Sequence, residues 1–104
     1  MAKPVFTFAE AAGFSVVKFE IPGGVTTPAE LANATAEISG RLPGPRVVLL
    51  NGRGPVWGYG MLIHAAHPTP AIGVFDPRLG YIVVTSHDEA YAMGSMIPDP
   101  EAAQ

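Results

Sequence analysis

The chain has 104 residues, a formal net charge of −3 and no cysteine. Its length fits one domain of ordinary size, and the lack of cysteine excludes disulfides, thiolate zinc sites and cysteine nucleophiles. The negative charge argues against binding to long duplex nucleic acid. No apolar run approaches the roughly 20 residues of a membrane span, and the first residues lack the apolar run of a signal peptide. We therefore expect a cytoplasmic protein that does not bind membranes.

Charged residues are scarce and unevenly distributed. They make up 14% of the chain, below the usual share of about a quarter, which favours a surface covered by further copies of the chain. From Arg41 to His87 there are four arginines and one acidic residue, whereas the other acids crowd the two ends. A locally positive middle suits a compact anionic ligand, although solvated surface arginines would give the same pattern.

The first half of the chain predicts a β-hairpin, a helix and a buried strand. Residues 5–8 and 14–21 are β-prone, and the second run alternates between two faces. Residues 27–30, with the sequence Thr-Pro-Ala-Glu, are typical of a helix start with a threonine cap and a capping box. Gly40 marks the expected helix end. The continuous apolar run at 47–50 indicates a strand buried on both faces.

The second half adds a helix and a second hairpin. The helix starts at Pro55 and continues to about Ala66, and strands at 71–75 and 81–85 flank a tight turn. The order β-β-α-β-α-β-β predicts a single α/β domain over residues 1–97, with two helices covering a mixed, distantly Rossmann-like sheet. We expect residues 98–104 to form a flexible tail.

The loop between the buried strand and the second helix reads Asn51-Gly52-Arg53-Gly54. Two glycines around an arginine let backbone N–H groups approach an anion, and the helix start adds a favourable dipole. Arg53 could pair with a phosphate through two hydrogen bonds. The alternative is a tight turn whose glycines only satisfy backbone geometry.

Two aromatic residues of the second helix, Trp57 and Tyr59, could stack on a nucleobase. Trp57 would equally suit a core or an interface. Gly58 and Gly60 cost this helix roughly 1 kcal/mol each relative to alanine. Because glycine has no side chain, the backbone of another segment could pack closely against this face of the helix.

The three histidines follow later. His64 and His67 are three apart, a spacing that can place two imidazoles beside a metal, but Pro68 pulls His67 out of helical geometry. His64 lies among apolar residues and is interpreted as structural. His87 follows the last strand, where it could donate to a phosphate or act as an acid or base near neutral pH.

Asp76 and Arg78 lie in the turn of the second hairpin. They fit ordinary turn chemistry, and they equally fit a carboxylate that holds a cation beside an arginine that holds a phosphoryl oxygen. If the flanking strands pair, this turn lies roughly 17–20 Å from His67 and His87. Either the two ends serve separate sites, or a second subunit completes one site.

Three sequence blocks together resemble a known family. They are Val-Val-Leu-Leu-Asn-Gly-Arg-Gly-Pro-Val-Trp at 47–57, Phe-Asp-Pro-Arg-Leu-Gly at 75–80 and Val-Val-Thr-Ser-His at 83–87, with two histidines between the first and the second. In order and spacing they resemble the small manganese-dependent ring nucleases of type III CRISPR systems. The N-terminal third has the family's general pattern without a distinctive motif.

The resemblance implies a function and a set of residues. Such proteins bind cyclic tetra-adenylate and cut it to linear di-adenylate products, which switches off type III CRISPR signalling. They form homodimers, two dimers grip the ring between them, and manganese is the cofactor. By motif position, the implied catalytic residues are His67, Asp76 and Arg78, and the implied metal ligands are Asp76 and His67. The implied ligand-binding residues are Asn51, Gly52, Arg53, Gly54 and His87.

Three other functions fit the same residues. One is a manganese-dependent exonuclease that trims RNA 3′ ends. Another is a non-catalytic module that sequesters cyclic oligoadenylate. The third is a structural subunit that packs against its own copies through the glycine-rich helix.

Overall fold

The computed structural model describes residues 3–42 and 44–102. In these ranges six strands form one sheet, with two α-helices among them. In chain order the elements are β1 (Val5–Ala11), β2 (Phe14–Glu20), α1 (Pro28–Ile38), β3 (Val48–Gly52), α2 (Val56–Ala65), β4 (Ala71–Asp76), β5 (Gly80–Ser86) and β6 (Met96–Ile97). The predicted mixed α/β fold with two main helices is confirmed, and β6 is an addition that the sequence did not indicate.

The strands lie side by side in the order of the sequence. β2, β3 and β4 run parallel, and the other neighbours are antiparallel. Parallel crossovers are right-handed almost without exception, so two crossovers that advance in the same direction place both helices on one face. The sheet has Rossmann-like crossovers, but its strand order does not reverse.

Both faces of the sheet are buried. The face that carries the helices has a core that includes Val17, Phe19, Leu50, Leu62 and Ile72. The opposite face, which we call the outer face, has a core that includes Val16, Leu49, Tyr81, Val83 and Ile97. The segment after β5 covers this outer face, where the Tyr91 ring meets the Phe14 ring edge-on with centroids 6.0 Å apart.

The chain end described by the structure is attached to the sheet. Glu101 forms an ion pair with Lys18 of β2 at 2.9 Å. Gly80 has a φ of +89° and lies under β6, where an added Cβ would come within 2.8 Å of the Ile97 carbonyl oxygen. The flexibility of residues 98–104 stays a prediction, and residues 103 and 104 lie outside the described part.

Local signals explain the start of α1 better than its end. The Thr27 hydroxyl accepts a hydrogen bond from the Glu30 N–H at 3.1 Å, as the cap predicted. Helix α1 ends at Ile38 and continues as a 3₁₀ turn, Ser39–Arg41. Gly40 therefore lies inside this turn, two residues beyond the helix end, and does not have the positive φ of a glycine cap. None of the helices in the described ranges is long and apolar enough to cross a membrane.

Candidate functional site

The Asn51–Gly54 loop lies at the edge of the sheet where β2, β3 and β4 end, which we call the carboxyl edge. Gly52 is the last residue of β3 and is in register with Phe19 of β2. A surface cleft of about 570 Å³ opens here, lined in part by Lys18, Asn51 and Arg53. Arg53 is exposed, so its guanidinium group is accessible to an anion at this edge.

Two tyrosines fix the residues that precede Arg53. The Asn51 side-chain amide donates to the Tyr81 hydroxyl at 3.1 Å. The Gly52 N–H donates to the Tyr59 hydroxyl at 3.1 Å, and this hydroxyl donates in turn to the Gly52 carbonyl oxygen. Burial raises the pKa of both phenols, so they stay protonated at neutral pH. Sequence reasoning missed these contacts, because nothing in the sequence pairs either tyrosine with the loop.

The two loop glycines have a packing reason of their own. A Cβ on Gly52 would lie 2.4 Å from the Phe19 carbonyl oxygen, and one on Gly54 would lie 2.6 Å from the Phe19 ring. The Gly52 N–H is already bound to Tyr59. Close packing against Phe19 alone therefore explains why both positions are glycine. Contact of these glycines with a ligand stays a prediction.

Asp76 and Arg78 lie at the same edge, in the turn between β4 and β5. The Asp76 carboxylate accepts a hydrogen bond from the Arg78 N–H at 2.8 Å, and the Arg78 side chain approaches it at 3.7 Å. Asp76 therefore stabilises the turn, as expected of an aspartate that precedes a proline. The Arg78 side chain is nonetheless 86% exposed, which leaves its guanidinium group available to a ligand.

His67 and His87 lie at the opposite edge. Their rings meet edge-on with centroids 5.0 Å apart, and the His87 N–H donates to the Pro70 carbonyl oxygen at 2.7 Å. In the β4/β5 hairpin, Asp76 pairs with Gly80, whereas the two histidines adjoin the far end, where β4 begins and β5 ends. The predicted separation of the two ends is confirmed.

This separation bears on the implied metal site of Asp76 and His67. At about 3.3 Å per strand residue, the length of β4 keeps Asp76 and His67 of one chain too far apart to bind the same ion. Among the residues that the structure describes, no three His, Asp or Glu side chains gather as a metal-binding group. His64 is exposed in the last turn of α2, so it does not belong to the core.

Comparison with known proteins identifies relatives of this chain. Residues 23–98 match the family model described as CRISPR-associated protein (Cas_csx3). The chain is also 57% identical over 51 residues to an uncharacterized protein of Aquifex aeolicus (strain VF5). That match covers 48% of this chain and 46% of the relative, so it spans about half the length of each protein.

Proposed function

The chain belongs to the CRISPR-associated Cas_csx3 family, and on that premise we propose that it is a ring nuclease. Its proposed ligand is cyclic tetra-adenylate, and its proposed products are linear di-adenylates, whose formation ends type III CRISPR signalling. The observation that carries this proposal is the pair of exposed arginines, Arg53 and Arg78, at one edge of the sheet. Guanidinium groups bind phosphates through paired, charge-assisted hydrogen bonds, and a cyclic oligonucleotide presents several phosphates around a small ring.

The proposed roles follow from position and chemistry. Arg78 stabilises the negative charge that develops on the phosphoryl oxygens during cleavage. The Asp76 carboxylate orients the turn that carries Arg78 and would bind the manganese ion. His67 supplies a general acid or base. Asn51, Arg53 and His87 contact the bound ring.

The active form in this proposal contains more than one chain. Asp76 and His67 lie at opposite ends of one hairpin, so they meet at one ligand only if they come from different chains. We propose homodimers, with two dimers holding the ring between them. The low share of charged residues, 14%, is consistent with a surface that is covered by copies of the chain.

We propose manganese as the cofactor, although the described residues of one chain do not form a complete site for it. Additional ligands would come from a second chain or from the bound nucleotide. Incubation of the protein with cyclic tetra-adenylate, with and without manganese, followed by mass analysis of the products, tests ligand, reaction and metal together. Linear di-adenylate is the expected product. Ring that stays intact for hours with manganese would instead support a binding module, and faster trimming of linear oligoadenylate would support an exonuclease.

Asp76→Asn separates chemistry from folding. Asparagine keeps an oxygen that can accept the Arg78 N–H, so we expect thermal stability close to that of the wild type. Loss of the carboxylate should lower the cleavage rate by about a hundredfold or more. Asp76→Ala also removes the turn hydrogen bond and should cost a further 1 kcal/mol or so of stability. Wild-type cleavage by Asp76→Asn would remove Asp76 from the catalytic set.

Mixing two inactive variants tests whether the site is shared between chains. His67→Ala and Asp76→Asn are each expected to be inactive alone. In a mixture, some sites receive His67 from one variant and Asp76 from the other, so part of the activity should return. A mixture that stays as inactive as either variant would argue against a shared site.

A further inference from the structure

A second cleft adjoins Arg53, between the loop before α1 and the first turn of α2. It has a volume of about 450 Å³, which lies in the range of small-molecule sites. Its walls include Val25, Thr26, Arg53, Pro55 and Trp57. Arg53 also lines the larger cleft at the carboxyl edge, so the two clefts adjoin at this side chain.

Trp57 forms an aromatic wall of this second cleft. It is the only tryptophan of the chain, and it is 40% exposed, so much of its surface is open to solvent. Tyr59, the other aromatic residue of α2, is held by Gly52 and lies edge-on to Phe19 at 5.2 Å. Of the two aromatic residues that could stack on a base, Trp57 is therefore the one that remains open.

The polar surroundings of the cleft favour an anion. The first turn of α2 has neither an acidic residue nor a side-chain cap, whereas α1 has both Thr27 and Glu30. A helix start without such compensation attracts negative charge. Arg53 adds a full positive charge, and no carboxylate in residues 3–42 or 44–102 forms an ion pair with it.

We infer that this cleft binds one nucleotide of the ligand, with the base stacked on Trp57 and an adjoining phosphate bound by Arg53. The inference rests on the proposed function for the identity of the ligand, and it adds a base-binding residue outside the residues assigned above. Stacking on an aromatic face is tolerant of base identity. Trp57 therefore supplies affinity without selecting one base.

The single tryptophan makes the cleft directly observable. Wild-type protein is titrated with cyclic tetra-adenylate in the absence of divalent metal, and the emission of Trp57 is followed. Stacking should quench this emission in a saturable manner. In parallel, direct binding of labelled ring is measured for Trp57→Leu, Trp57→Phe and Val56→Ala. Val56 is 88% exposed and does not line the cleft, so its variant is the matched control.

We expect Trp57→Leu to weaken binding about tenfold, Trp57→Phe to retain most of the affinity and Val56→Ala to match the wild type. Thermal unfolding checks that each variant folds. If Trp57→Leu does not fold, the titration of the wild-type protein still tests the inference. Bound ring without any change in Trp57 emission, or wild-type affinity in Trp57→Leu, would overturn the inference and leave the ring nuclease proposal standing. Failure of the wild type to bind the ring would overturn both.

Discussion

Phe19 shapes the candidate site although it is almost fully buried. Its backbone and ring occupy the space beside Gly52 and Gly54, and its ring also packs on Tyr59. The sequence predicted a special loop from its glycines, but it did not say what those glycines accommodate. Contacts between residues that are distant in sequence decide this, and local patterns do not encode them.

Gly52→Ala tests this packing. The added methyl group would overlap the Phe19 carbonyl oxygen and ring, so we expect a loss of about 3 kcal/mol in the free energy of unfolding. Because the loop must shift, binding of the ring should weaken as well. Urea unfolding and a binding titration measure the two effects, and a variant as stable as the wild type would contradict the packing argument.

Two threonines should respond to the same substitution with opposite signs. The Thr35 hydroxyl is buried in α1 and has no partner within the described ranges, so Thr35→Val should stabilise the protein by about 1 kcal/mol. Thr27 caps α1, so Thr27→Val should cost about 1 kcal/mol. Thermal or urea unfolding of both variants checks the pair, and equal shifts would show that the Thr35 hydroxyl has a partner.

At the scale of elements, the strongest sequence signals were local. The Thr27 cap of α1 and the Asp-Pro-Arg-Leu-Gly turn between β4 and β5 carry their own hydrogen bonds, and both are found as predicted. The return bond of the predicted capping box, from the Glu30 side chain to the Thr27 N–H, is not found in the described residues. Strand β6 has two residues and forms only because it pairs with β5. A segment of two residues shows no hydrophobic periodicity, so the sequence could not predict this strand.

Helix α2 allows a test of the interface at Gly60. Within the described ranges, a Cβ added at Gly60 would meet no atom within 4 Å beyond its own helix backbone and chain neighbours. Gly60→Ala should therefore stabilise an isolated chain by about 1 kcal/mol through helix propensity. If a second copy packs closely on this face, the methyl group would instead weaken association. Unfolding at low concentration and sedimentation at high concentration distinguish the two effects. Unchanged stability and unchanged association together would contradict both expectations.

At the scale of the whole molecule, the separation of the two ends of the site could be predicted because strand pairing follows from the hairpin turn. The positions of Tyr59 and Tyr81 beside the loop could not, since they depend on how α2 and β5 pack on β3. The proposed metal site could not be derived either, since its ligands would come from two chains.

The folded molecule should be sensitive to alkali. Burial raises the pKa of Tyr59 and of Tyr81 above the ordinary value of 10.0, and the hydrogen bond with Glu101 raises the pKa of Lys18 above 10.5. Between the ordinary and the raised values, the folded chain keeps protons that the unfolded chain has released. The free energy of unfolding is therefore fully maintained below about pH 9 and falls as the pH rises beyond 10.

Urea unfolding between pH 7 and 11 measures this dependence. Tyr59→Phe should be less stable at neutral pH, because it loses the contacts with Gly52, yet its stability should fall less steeply above pH 10. A slope equal to that of the wild type would show that the Tyr59 phenol does not contribute to the alkaline loss.

The sequential strand order has a consequence for the speed of folding. Each strand pairs only with its neighbours along the chain, so the sheet can grow outward from any hairpin or crossover without waiting for a remote segment. Folding rates fall as contacts become more distant in sequence. We therefore expect refolding after dilution from urea to be faster than in β-sandwiches of similar length, and stopped-flow tryptophan emission would follow it.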